Sequence, residues 1–129
     1  MTDVDVIGPI EIRLPPDPSL SRVLRLAASG IASLAGFTVD EIEDIKIAVS
    51  EVLIALVEHG GGEPIDVEFA VSSTSFDVRG RTAVETFDIN HPDLMICRTV
   101  LTDVCEDHRI DRVNGEVHIW AAVQHEAIS

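Results

Sequence analysis

Hydrophobic and polar positions change period several times along the chain, and each change marks an element. Val6, Ile10, Ile12 and Leu14 alternate with polar neighbours, which predicts a strand over Val4 to Leu14, bent or bulged at Gly8-Pro9. Pro15-Pro16-Asp17-Pro18 stops it, and Asp17 or Ser19 can cap the next segment. There Leu20, Val23, Leu24, Ala27, Ile31 and Leu34 recur at helical spacing up to Gly36. A second helix has the clearest start: Thr38-Val39-Asp40-Glu41 reads as a capping box, with acidic residues at the positive helix end. Its apolar stripe is Ile42, Ile45, Val49, Val52, Leu53 and Leu56, and Gly60-Gly61-Gly62 ends it.

Ile65 to Val71 and Phe76 to Arg79 read as strands joined by a turn over Ser72 to Ser75, with Ala83 to Ile89 a weaker strand candidate. Pro92 suits a first helical position, and Leu94, Ile96, Cys97, Val100, Leu101 and Val104 predict a third helix. Arg109 to Val113 and Glu116 to Val123 flank Asn114-Gly115, a strong type I′ hairpin signal. A two-residue loop pairs Asp111 with His118 and Arg109 with Trp120 on one face, and Ile110 with Ile119 on the other. Arg over Trp is a cation–π candidate and Asp111–His118 a cross-strand ion pair; both also fit a plain solvated face. Contiguous strands with grouped helices indicate an α+β, two-layer sandwich: a mixed, mostly antiparallel sheet with about three helices on one face.

At 129 residues the chain fits one domain, 1–129, burying roughly two-thirds of its unfolded surface. Aromatics are only 4%, so Val, Ile, Leu and Ala must build the core. Net charge is -14, from 23 acidic and 9 basic residues. Nucleic acid needs clustered Lys/Arg, and an acidic field repels anionic lipid, so neither is expected as a partner. The charge suits a basic protein, or serves solubility alone. Met1 to Asp5 lacks the basic start and apolar stretch of a signal peptide, so a cytoplasmic location is expected. Cys97 and Cys105 are expected to be reduced and buried. No metal site is expected, since His108 and His118 face opposite sides of the hairpin and leave Cys105 without partners.

The segment Ile45 to Gly60, reading IKIAVSEVLIALVEHG, resembles the ATP-site helix of the anti-sigma-factor serine/threonine kinases, a branch of the histidine-kinase-like (Bergerat-fold) ATPases. The preceding helix with Arg22 and Arg25, its Leu34-Ala35-Gly36-Phe37 ending, the acidic capping segment and the closing helix plus hairpin match as well. The resemblance covers roughly residues 5 to 124. It implies a Bergerat-type sandwich in which positions 51, 55 and 59, spaced i, i+4, i+8 along one helical face, meet a nucleotide. Glu51 stands at the position of the general base. Ala55 stands where the family has an asparagine that gives magnesium an oxygen.

Further departures accumulate. The family's Asp-x-Gly-x-Gly follows its second central strand, where this chain has Gly80 at the aspartate position and Thr82 at the first glycine. Before the third helix the family has a phosphate-cradling glycine turn; here Asn90-His91-Pro92-Asp93 removes one backbone donor and adds a negative charge. Glu51 is then a relic base or a solvated residue, and His59 a helix-end cation for the dipole or a remnant of the site.

The resemblance therefore implies a degenerate kinase-like regulator, with no cofactor, that binds a protein partner in a partner-switching system. That partner would be a sigma factor or its single-domain antagonist, and family members commonly form homodimers. Asp40, Glu41, Glu43 and Asp44 form the candidate partner patch, with Arg109 and Trp120 as a second anchor. Two other readings stand beside it: an active kinase using ATP and Mg²⁺ through Glu51, and a structural dimerisation domain.

Overall fold

The computed structural model describes residues 7–126. The expected start of the first strand, residues 4–6, lies outside them. Five strands and three helices run in the order β1 (Ile7–Leu14), α1 (Ser21–Leu34), α2 (Val39–His59), β2 (Ile65–Val71), β3 (Ser75–Ala83), α3 (Pro92–Val104), β4 (Asp107–Val113) and β5 (Glu116–Gln124). The sheet order is β1-β2-β3-β5-β4, and all four pairings are antiparallel, where a mixed sheet was expected. The pairing of β1 with β2 shifts between Ile7 and Ile10, at Gly8-Pro9 as the sequence suggests.

One sheet face is apolar. Ile65, Val67, Phe69, Phe76, Val78, Val117, Ile119 and Ala121 are at most 1% exposed, each side chain contributing about 1.5–3 kcal/mol when large. Against them lies α2 with Ile45, Val49, Val52, Leu53 and Leu56. Its start is a complete capping box: Glu41 N–H donates to Thr38 Oγ1 at 3.1 Å, and Thr38 N–H donates to Glu41 Oε1 at 2.8 Å. Asp17, of the two candidate caps, accepts from Ser19 N–H at 2.9 Å and closes a 3-10 turn over Pro18–Leu20 ahead of α1.

Three expectations change. The apolar arc of α1 is wider than the face it buries: Leu24, Ala28 and Ala32 are fully buried, whereas Val23 is 48% and Leu34 84% exposed. Leu24, Ala28 and Ala32, spaced i, i+4, i+8, line one side of α1 and face α2. Second, Ala83 to Ile89 forms no strand; β3 runs on to Ala83 and the chain then turns away as a loop. Val84 tucks into the core edge, its N–H donating to Gly115 O at 2.9 Å, and Arg112 Nη2 donates to Glu85 O at 2.8 Å. The apolar residues of this segment pack singly rather than on one pleated face. Third, His118 pairs with Glu116 at 3.0 Å instead of with Asp111, which lies 3.9 Å from Arg109. Both new pairs join residues two apart on one strand face, where side chains align as well as across the ladder. The hairpin register itself is as expected, and Asn114 (φ 49°) and Gly115 (φ 77°) supply the two positive φ angles a type I′ turn needs.

Candidate functional site

The face of α2 bearing Glu51, Ala55 and His59 opens on a cleft of about 240 Å³ against α3, lined also by Glu58, Asp93 and Cys97. Ala55 is 5% exposed and brings a methyl group to its wall. Burial, and then the neighbouring Glu58 carboxylate, raise the Glu51 carboxyl above its ordinary value. Burial pushes the Cys97 thiol up to about 11, Glu51 adding to the effect and Arg98 opposing it. The thiol is therefore neutral and a weak nucleophile near pH 7.

Gly80 and Thr82 lie on the same side of β3, beneath α2. A Cβ on Gly80 would stand 2.6 Å from Leu56 Cδ1 and 2.8 Å from Val52 Cγ1, so helix side chains fill the space above it. Thr82 is 3% exposed and donates its hydroxyl to Pro64 O at 3.0 Å, which fixes the loop after α2 to the strand. Beyond them an open depression of about 620 Å³ lies at the ends of α2 and β3, lined by His59, Gly60, Glu63, Ala83, Val84 and Glu85 among others.

These side chains do not fit a magnesium–triphosphate where the resemblance places it. Position 55 offers no oxygen and position 80 no carboxylate, a side chain at 80 would crowd Leu56 and Val52, and the cleft walls carry Glu51, Glu58 and Asp93 without a Lys or Arg. At the mouth, His91 caps α3: its Nδ1 accepts the Asp93 N–H at 3.1 Å, with Pro92 at the first helical position. His59, in the last turn of α2, sets its ring edge-on to Phe87 and 4.8 Å from the His91 ring centre. Ligand atoms of His59, His91 and Asp93 all lie within 4.8 Å of one another. The sequence pattern gives no hint of this grouping, because its members sit on two helices more than thirty positions apart.

The candidate partner residues divide. Glu41 is 9% exposed and turned inward: besides the capping box, it accepts from Glu126 N–H at 2.7 Å and meets His125 Nδ1 at 2.9 Å. Burial alone would raise its carboxyl, but these backbone donors and His125 bring it down to about 2. Asp40 and Glu43 are exposed, Glu43 pairing with Lys46 at 2.9 Å. Burial, then Asp103 and Asp40, raise Asp44. Asp40 and Asp44 join Asp103, Glu106 and Glu126 in an acidic groove of about 540 Å³, most of which the sequence reading misses because the fold gathers it from the end of α3, the turn after it and the C-terminal segment. Arg109 and Trp120 lie on the solvent face of the sheet, the guanidinium 5.8 Å from the ring centre, and Trp120 Nε1 donates to Asp77 Oδ2 at 2.9 Å.

Such a sheet, carrying helices on one face with a cleft beside the second, has the architecture of a histidine-kinase-like ATPase fold. Serine-protein kinase RsbW of Listeria monocytogenes serovar 1/2a is 37% identical over 111 residues, covering 82% of this chain and 68% of the relative. The chain belongs to the RsbW family of serine-protein kinases, the anti-sigma-factor branch of that superfamily. RsbW of Bacillus subtilis is 36% identical over 85 residues, 63% of this chain and 53% of the relative. The chain thus spans little more than half of that relative, and 56% of its Bacillus velezensis counterpart. No protein-family model matches the chain. Among solved structures, the RsbU and RsbW domains of Rv1364c from Mycobacterium tuberculosis align over 94% of this chain and 34% of that one, with TM-score 0.67 and 19% identity. The SiaB–SiaC complex from Pseudomonas aeruginosa aligns over 93% and 91%, with TM-score 0.51 and 11% identity. At these identities the likeness is one of fold.

Proposed function

We propose that this chain is a non-catalytic, protein-binding regulator of a partner-switching system, in which the family's nucleotide chemistry has been lost. The observation that carries the proposal is the seating of Val52 and Leu56 on Gly80: the space for an adenine-reading carboxylate is occupied by helix side chains. Ala55 and the acidic walls of the cleft support it.

The partner is a protein with a basic surface, a sigma factor or an antagonist of one, and it meets the acidic groove around Asp40, Asp44 and Asp103. Glu43 flanks the groove, and Arg109 with Trp120 forms a separate anchor on the far side of the sheet. β1 is an edge strand available for homodimer pairing. A cytoplasmic location belongs to the same proposal; no helix of the described residues is long and apolar enough to cross a membrane.

The test is titration of a fluorescent ATP analogue with Mg²⁺, alongside capture of basic candidate partners by the chain and by Asp44→Lys. Absence of saturable nucleotide binding, with partner capture weakened by D44K, is expected. Saturable micromolar nucleotide binding overturns the proposal. A second reading, an active serine/threonine kinase, is favoured by the raised carboxyl of Glu51, which suits a general base, and by the names of the relatives. Phosphate transfer from ATP to an antagonist, abolished by Glu51→Gln, would establish it.

A further inference from the structure

We propose that His59, His91 and Asp93 form a binding site for a divalent transition-metal ion of the zinc class, bridging the end of α2 to the start of α3. Their ligand atoms lie within 4.8 Å of one another, the two histidines half-buried and the aspartate exposed. Two imidazoles and one carboxylate are borderline donors; they suit zinc, nickel or copper, whereas magnesium and calcium take oxygen. Three protein ligands leave a fourth position of a tetrahedral ion open to water.

Around a zinc ion with Zn–N near 2.0–2.1 Å, ligand atoms stand about 3.4 Å apart. The widest separation here must therefore close by roughly 1.4 Å, within reach of ring rotation at half-exposed positions. His91 Nδ1 and Asp93 Oδ2 are already 3.9 Å apart. The same Nδ1 lone pair accepts the Asp93 N–H, so coordination there exchanges one capping hydrogen bond for a metal bond.

The surroundings favour a cation. His59 lies between the cleft, with Glu51 and Glu58, and the depression, with Glu63 and Glu85. The whole chain carries -14. The family's magnesium position, at residue 55, lies one helical turn before His59 in the same cleft and calls for an amide oxygen, whereas the present trio uses imidazoles and a carboxylate.

The experiment is calorimetric titration of the full, EDTA-stripped chain with zinc chloride in a non-coordinating buffer. One equivalent is expected to bind saturably. His59→Gln and His91→Asn should each weaken binding at least about 100-fold, the upper end of the loss when a mere supporting partner of a metal ligand is removed. Asn can still cap α3, and thermal melts without zinc show whether each variant is folded. Cobalt should give visible bands of a nitrogen- and oxygen-ligated ion without a thiolate charge-transfer band. Absence of saturable uptake overturns the proposal. So does affinity unchanged by both substitutions, which places the ion elsewhere, or a thiolate band, which assigns it to Cys97 or Cys105. Zinc uptake and nucleotide binding are read separately, so either result stands without the other.

Discussion

Gly80→Ala probes the contact on which the proposed loss of nucleotide binding rests. The added Cβ would stand 2.6 Å from Leu56 Cδ1 and 2.8 Å from Val52 Cγ1, against an optimum of about 3.5–4.0 Å between carbons. Backbone strain plays no part, since Gly80 pairs in register with Val67 and Ile119 within extended strands. The Leu56 methyl can swing aside, but Val52 is β-branched and nearly confined to one helical rotamer. Either α2 lifts or Leu56 leaves its well. Overpacking of this kind costs about 1–3 kcal/mol, less about 0.4–1 kcal/mol from the stiffer unfolded chain. The net expectation is destabilisation by about 1–2 kcal/mol, a melting temperature lower by about 4–8 °C for a domain of this size. Urea denaturation, followed by circular dichroism and by Trp120 emission, measures it. Val52→Ala removes one of the two opposing methyl groups, so the double variant should be more stable than the sum of the singles predicts, by about 1 kcal/mol. A G80A chain as stable as the parent, or a strictly additive double variant, would refute the reasoning and reopen the space above Gly80.

Two further outcomes are expected from the same structure. Glu41 titrates at about 2 in the folded chain against an ordinary 4.5, so it stabilises the fold above pH 4.5, and that stability is lost as pH falls toward 2. The full shift would be worth about 3 kcal/mol, and about 1–2 kcal/mol remains after solvent screening at the surface; urea midpoints between pH 6 and 3 should fall less steeply in Glu41→Gln, and equal slopes would contradict the assignment. Trp120 is the sole tryptophan, so its emission reports one site: Asp77→Ala should shift it and cost about 1 kcal/mol through the lost indole hydrogen bond, whereas Arg109→Ala should cost only about 0.5–1 kcal/mol, and an unmoved spectrum in D77A would count against the Trp120–Asp77 contact.

Much of the fold was legible because its signals are local. Thr38 and Glu41 carry a capping box that needs only four residues, and Asn114-Gly115 sets a register that propagates down both strands. What failed was tertiary. Val23 and Leu34 fit a helical stripe as well as Leu24 does, and only the seating of α1 on α2 through Ala28 and Ala32 decides which of them is buried. Ala83 to Ile89 has strand-like composition, but only Ala83 pairs, as the last residue of β3, and the chain beyond it has left the sheet. At the site, Ala55 and the absent carboxylate at 80 could be read from one helix and one strand. The inward turn of Glu41 could not, since its partners His125 and Glu126 come from the far end of the chain. Nor could the meeting of His59 with His91 and Asp93 across two helices.

One electrostatic feature joins the three functional statements. The family's chemistry requires a cleft that welcomes a polyphosphate, and here Glu51, Glu58 and Asp93 face that cleft with no lining Lys or Arg and no amide oxygen at position 55 to seat a neutralising magnesium. A triphosphate entering this cleft meets like charge on its walls. For a ligand of the opposite sign the chain's acidic surface is an asset. On the proposed readings a divalent cation would find imidazole nitrogens and a carboxylate at the mouth, and a basic protein surface the acidic groove at the start of α2. In the proposed non-catalytic reading Glu51 is part of the acidic wall, because a general base acts only on a hydroxyl held beside a transferable phosphate. Restoring asparagine at position 55 alone should therefore recover no nucleotide binding, since the filled space over Gly80 and the charge of the walls both persist.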